Sequence, residues 1–152
     1  MTMPKPEDLM TNPLFQGFDT EQIEQVLRFV ERQNYAKGDF IFKQNDTAHQ
    51  LYIIEQGLVN IRLQIREGTE LTIVTEGKGA AFGWSALIPP HHYTADAKCL
   101  EPCQVLALDG AKVRELCYQE PTLGVKLMEN LARFIAVRLQ NTNLAMVGAM
   151  WK

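Results

Sequence analysis

Residues 35–63 read YAKGDFIFKQNDTAHQLYIIEQGLVNIRL, and this stretch decides the fold. From its end onward the chain alternates: Val59, Ile61, Leu63 and Ile65 are apolar, whereas Asn60, Arg62, Gln64 and Arg66 are polar. A period of two marks a half-buried strand, because successive side chains of an extended backbone leave on opposite faces. Breaks at KGD, QND and QG divide the stretch into short strands. Just downstream, REGTE (66–70) supplies Gly68 as a turn before a second alternating run, Leu71 to Val74, so residues 58–75 predict a β-hairpin. With a further turn at GKG (77–79), the chain from Tyr35 to Leu108 predicts an antiparallel roll of about eight short strands.

On either side the apolar period changes to that of a helix. In FDTEQIEQVLRFVERQ (18–33), Ile23, Val26, Leu27 and Val30 share one helical face, and Asp19 with Gln22 has the spacing of a capping box. A short helix over residues 20–32 follows from this. After Asp109 the pattern returns in LGVKLMENLARFIAVRLQNTNLAMVG (123–148), a proline-free run rich in leucine, alanine, arginine and methionine that predicts one long helix. The expected fold is mainly β with flanking helices: an antiparallel β-roll of the double-stranded β-helix or jelly-roll type. It comprises one domain over 1–152, with a helical segment at 1–33, the roll at 34–109 and C-terminal helices at 110–150.

Composition narrows the function classes. A chain of 152 residues suits one domain, which buries about 70% of its unfolded surface. A formal net charge of -3 gives no bulk attraction to nucleic acid or anionic lipid. The N-terminal MTMPKPEDLM lacks the apolar core of a signal peptide, and no run reaches the roughly 18 apolar residues of a membrane span. The expectation is a cytoplasmic protein with no membrane partner. Three cysteines, Cys99, Cys103 and Cys117, are an odd number without a dense framework, and they are expected as reduced thiols.

Catalytic and metal chemistry find no motif. There is no Gly-x-Ser-x-Gly elbow, and Ser85 has no base placed beside it by spacing. The expected roll resembles the cupin architecture, whose metal enzymes place histidines and a carboxylate inside the barrel. Here His91 and His92 are adjacent and would face opposite sides of a strand, and Pro102 interrupts the Cys99–Cys103 spacing. The chain is expected to be no enzyme, with no catalytic residue and no metal site.

The order of elements, together with Gly38, Tyr52, Ile54 and Gly57 at the strand turns, resembles the cyclic-nucleotide-binding domain of the catabolite-activator and fumarate-nitrate regulators. Asn45 stands where that family has a glycine, and asparagine is the next best residue for a left-handed backbone. The resemblance extends to AAFGWSALIPPHHYTADA (80–97), which occupies the place of the family's phosphate-binding cassette. In the family, Phe-Gly-Glu opens a short helical turn and Arg-Ser/Thr-Ala follows about ten residues later. Backbone N–H groups and the arginine hold the cyclic phosphate, while the glutamate accepts from the ribose hydroxyl. Phe82, Gly83, Thr94 and Ala95 match; Trp84 stands at the glutamate position and Tyr93 at the arginine position.

The resemblance therefore implies a ligand-binding set of Phe82, Gly83, Trp84, Ser85, Ala86, Tyr93, Thr94 and Ala95. The implied ligand is a cyclic nucleotide or a different small anionic or aromatic effector. Two lost charged partners, each contributing about 1.5 to 3 kcal/mol, weaken cyclic nucleotide binding by roughly 100-fold to 10,000-fold unless other groups replace them. Candidate replacements are His91, His92, Lys98 and Arg138. Trp84 and Tyr93 either stack on a ligand or plug the vacant pocket.

In the long helix, Met128, Ala132, Ile135, Leu139, Thr142 and Met146 trace an apolar seam, widened by Leu127, Leu131 and Phe134. The resemblance implies a homodimer through this helix, at Met128, Leu131, Ile135, Leu139 and Thr142; the alternative is a monomer whose helix caps its own core. The sequence ends at VGAMWK without a helix-turn-helix, so direct DNA binding is not expected and output would pass to a protein partner. Two readings stand: a regulatory sensor domain that signals through its C-terminal helix, and an interaction or dimerisation module whose pocket Trp84 and Tyr93 fill.

Overall fold

The computed structural model describes residues 2–151. Two short helical segments come first, α1 (Pro6–Met10) and a 3-10 turn (Pro13–Phe15), followed by α2 (Thr20–Leu27). Eight strands follow: β1 (Val30–Tyr35), β2 (Phe40–Phe42), β3 (Gln50–Gln56), β4 (Val59–Arg66), β5 (Thr69–Glu76), β6 (Ala81–Phe82), β7 (Asp96–Cys99) and β8 (Cys103–Asp109). Between β6 and β7 lies a single 3-10 turn, Trp84–Ala86, and two helices close the chain, α3 (Gly110–Gln119) and α4 (Pro121–Met150).

The strands form two four-stranded antiparallel sheets, in the orders β1-β8-β3-β6 and β2-β7-β4-β5. The expected hairpin is present as β4 and β5, paired from Val59 opposite Glu76 to Arg66 opposite Thr69. β3 is buried along both faces from Leu51 to Ile54. That explains its continuous apolar run where β4 alternates.

The N-terminal helix is shorter than its period suggests. The capping box forms as expected: the Asp19 carboxylate accepts from Gln22 N at 2.8 Å and the Gln22 side-chain Oε1 accepts from Asp19 N at 3.0 Å. The helix then stops at Leu27, and Val30, expected on its apolar face, already pairs with Leu108 in the sheet. Val30 is β-branched and its place opposite β8 gives it a buried ladder, which outweighs a fourth helical contact. The roll accordingly starts at Val30 rather than at residue 34. Arg32 ties this strand to the N-terminus: its guanidinium donates to Glu55 at 2.7 Å and to Asp8 at 2.9 Å.

The long helix α4, about 45 Å at 1.5 Å per residue, behaves as two halves. In the first, Leu123, Leu127 and Leu131 are 0% exposed, and Asn130 Nδ2 donates to the carbonyls of Leu14 and Gln16, both at 2.9 Å. Leu131, expected on the shared seam, thus belongs to the chain's own core. The second half leaves the body, with Leu139 59% and Leu144 64% exposed.

Candidate functional site: the cassette and its cleft

β6 delivers the chain to Gly83, whose φ of +75° lies in the left-handed region. A side chain there would also come within 3.1 Å of the Phe42 and Tyr52 rings, so glycine is needed twice over. The turn Trp84–Ala86 follows: Ala86 N donates to Gly83 O at 3.3 Å, and the next amide, Leu87 N, donates to Trp84 O at 2.9 Å. His91, itself at φ +61°, closes the loop by donating from Nδ1 to the Ser85 carbonyl at 2.9 Å. Beyond it, Tyr93 N donates to Asp46 O and Asn45 N to Tyr93 O, at 2.9 and 2.8 Å. Asn45 takes the left-handed conformation expected of it, φ +74°.

The far end of the cassette is absorbed into the core. Tyr93 is 4% exposed, and its ring lies 3.6 Å from the Phe42 ring at an interplanar angle of 8°. Phe42 in turn packs on Tyr52 and Phe82, with centroids 6.0 and 5.9 Å away. The Tyr93 hydroxyl donates to the Gln50 carbonyl at 2.6 Å and accepts from Gln50 N at 3.3 Å. Burial pushes its pKa up, so it stays a neutral phenol. A ring with its polar group satisfied internally offers nothing to an anion. Thr94 beside it is exposed and Ala95 is buried.

The near end faces the long helix. Trp84 is half-buried and does not join the Phe42 stack; its ring lies under the Arg138 guanidinium, 4.6 Å from centroid to carbon. Arg138 Nη2 meets Glu76 Oε1 at 3.4 Å, and its side chain is 15% exposed. Burial lowers the Arg138 pKa against the opposing pull of Glu76. These residues line a cleft of about 280 Å³ between the roll and α4, together with Pro13, Arg133 and Phe134. Of the four candidate replacements for the missing charges, Arg138 alone lines this cleft. Lys98 lies instead 5.3 Å over the Phe40 ring, which it shares with Lys43. His92 is exposed, in an isolated bridge with Thr47, and His91 holds the cassette loop.

Helix α3 is locked to the cassette from behind. Arg114 donates to the Ala86 carbonyl, and Gly110 N donates to His49 O at 2.8 Å. A Cβ on Gly110 would meet the Ala86 carbonyl at 2.8 Å, so the helix start can approach this closely only without one. Glu76, Phe42 and Arg114 were not singled out by sequence. Glu76 closes an alternating strand and reads as a turn charge, and only the α4 packing reveals its partner. Among the described residues no group of three or more His, Cys, Asp or Glu side chains is placed to hold a metal, and no helix is long and apolar enough to cross a membrane. The thiols of Cys99, Cys103 and Cys117 are free, and burial pushes that of Cys99 up to about 12.

A two-sheet roll with a helical turn inserted between two strands and a long helix packed across its mouth is the architecture of small regulatory domains that carry a phosphate-binding cassette. The chain belongs to the cyclic nucleotide-binding domain family, whose sequence model matches residues 32–120. The cyclic AMP receptor protein of Thermus thermophilus is 30% identical over 133 residues, covering 88% of this chain and 60% of that protein. A CRP-like cAMP-activated global transcriptional regulator of Mycobacterium tuberculosis is 25% identical over 132 residues, 87% of this chain and 58% of its own length. Among solved structures, a Geobacter metallireducens protein described as cyclic-nucleotide-binding superposes with a TM-score of 0.82 at 32% identity, over 90% of this chain and 99% of that one. The chain thus spans about 60% of the length of these two curated relatives. Those two are named as a receptor and a regulator rather than as catalysts.

Proposed function

We propose that the chain works as a single regulatory, non-enzymatic domain that senses a small anionic effector at the mouth of its cassette and passes occupancy to α4. One observation carries this reading: a largely buried arginine, Arg138, lies on Trp84 with a single distant carboxylate partner, between the cassette and the helix that would transmit the signal. A ligand acts on such an element by the difference in its affinity for two arrangements of α4. The outward seam of α4, with Met128 and Leu139 exposed and Ile135 and Thr142 half-buried, serves as the homodimer surface and meets any protein partner of the output. Phe82, Gly83, Ser85 and Ala86 shape the cassette backbone in this reading, whereas Tyr93, Thr94 and Ala95 anchor its far end.

The test is thermal melting with a panel of cyclic nucleotides, cyclic dinucleotides and small carboxylates at millimolar concentration. A ligand at about 100 times its dissociation constant stabilises by about 2.7 kcal/mol and raises the melting temperature by several degrees. Flat melting across the whole panel rejects the sensor reading. The second reading, an interaction module with a filled pocket, draws on the Tyr93–Phe42 stack inside the roll. For the dimer, replacing Ile135 and Leu139 with lysine is expected to give folded monomers in sedimentation; unfolding instead would assign that face to the core.

A further inference from the structure

The chemistry of the cleft beside Trp84 specifies a class of effector, an inference that rests on the sensor reading above. A guanidinium presents five N–H donors in a planar fork. Arg138 directs one nitrogen, Nη2, at Glu76, and at 3.4 Å that contact is long for a charged pair. The side chain is nonetheless largely buried, and burial lowers its pKa. An under-partnered guanidinium in a half-dry cleft favours an anion that engages both arms of the fork. Arg133 lines the same cleft and adds positive charge; its Nη1 is held by Gln16 at 3.1 Å. Phe134, Val137, Pro13 and Ala81 supply an apolar wall, and the amides of Asn130 and Asn141 complete the lining.

Size decides what accompanies the anionic group. At about 280 Å³ the cleft lies just below the common range of roughly 300 to 1,000 Å³ for ligand pockets. That suits one ring with a short acidic arm. A purine, ribose and phosphate together would also require the glutamate and arginine that Trp84 and Tyr93 replace. We propose that the effector is a small aromatic carboxylate, its carboxylate forked on Arg138 in place of Glu76 and its ring against Phe134 and Val137. Glu76 is then a built-in competitor that occupies the arginine when the cleft is empty.

The probes are phenylacetate, its uncharged amide phenylacetamide, and cyclic AMP. Trp151 is 87% exposed at the end of α4, so Trp151→Phe leaves Trp84 as the single indole of a chain with two tryptophans. Binding is read from Trp84 fluorescence and from melting. Phenylacetate is expected to saturate, the amide to bind at least about 10-fold more weakly, and Arg138→Gln to weaken phenylacetate by a similar factor, as the loss of a charged hydrogen bond implies. Glu76→Gln is expected to tighten phenylacetate several-fold, a gain that damage to the fold does not mimic. Saturation by cyclic AMP and not by phenylacetate overturns the proposed class and leaves the sensor reading standing. Equal binding of acid and amide, or indifference to Arg138→Gln, overturns the role of the guanidinium; no binding of any probe overturns the aromatic-carboxylate class, while the wider panel above decides the sensor reading.

Discussion

Trp84 and Tyr93 stand at the two ends of one cassette, each an aromatic residue in place of a charged one, and the fold uses them in opposite ways. Tyr93 points into the roll, stacks on Phe42 and closes its hydroxyl on Gln50. Trp84 turns toward α4 and lies under Arg138 beside an open cleft. One end has become core; the other has kept a surface to offer. Under the proposal above, substituting the charged contacts of a site does not erase it uniformly: the recognition chemistry moves from the roll interior to the seam between cassette and helix.

The sharpest way to break this contrast is Tyr93→Ala. Removing a fully buried ring from a packed stack is expected to cost about 3 to 5 kcal/mol, read as a lower urea midpoint with unchanged slope. Next in size is Gly110→Ala, which presses a methyl group against the Ala86 carbonyl at 2.8 Å and the His49 carbonyl at 3.0 Å. Both neighbours are backbone, so overpacking is expected to cost about 1 to 3 kcal/mol in the same measurement. Tyr93→Phe keeps the stack and removes the hydroxyl bonds to Gln50, for an expected loss of about 1 kcal/mol. Smallest is Leu139→Ala on the exposed half of α4, within about 0.5 kcal/mol for the monomer. A large loss there would show that α4 is covered in solution.

How much of this was legible in the sequence depends on the range over which each feature is encoded. The β4–β5 hairpin was readable because its alternation is local and persists over many residues on both sides of Gly68. Asn45 was readable because a left-handed turn restricts residue type by itself. The end of α2 was not: Val30 fits a helical face as well as it fits a strand, and only β8 decides between them. α1 and the Pro13–Phe15 turn are too short to show a period. In the cassette, both substitutions were visible as residues, but their orientations were not. Nothing local separates a tyrosine that fills a core from one that stacks on a ligand. The pairing of Trp84 with Arg138 joins a cassette turn and a helix far apart in sequence, and of the candidate cations Arg138 carried no better local signal than Lys98.

The central claim, that Tyr93 supports the fold while Trp84 serves the cleft, is tested most directly by calorimetric melting of Trp84→Ala with and without phenylacetate. The account predicts a free protein that melts only about 2 to 4 °C below wild type, for a loss of about 1 kcal/mol from a half-buried ring, and that no longer responds to the ligand. A fall as deep as that of Tyr93→Ala, or an undiminished ligand shift, would contradict it.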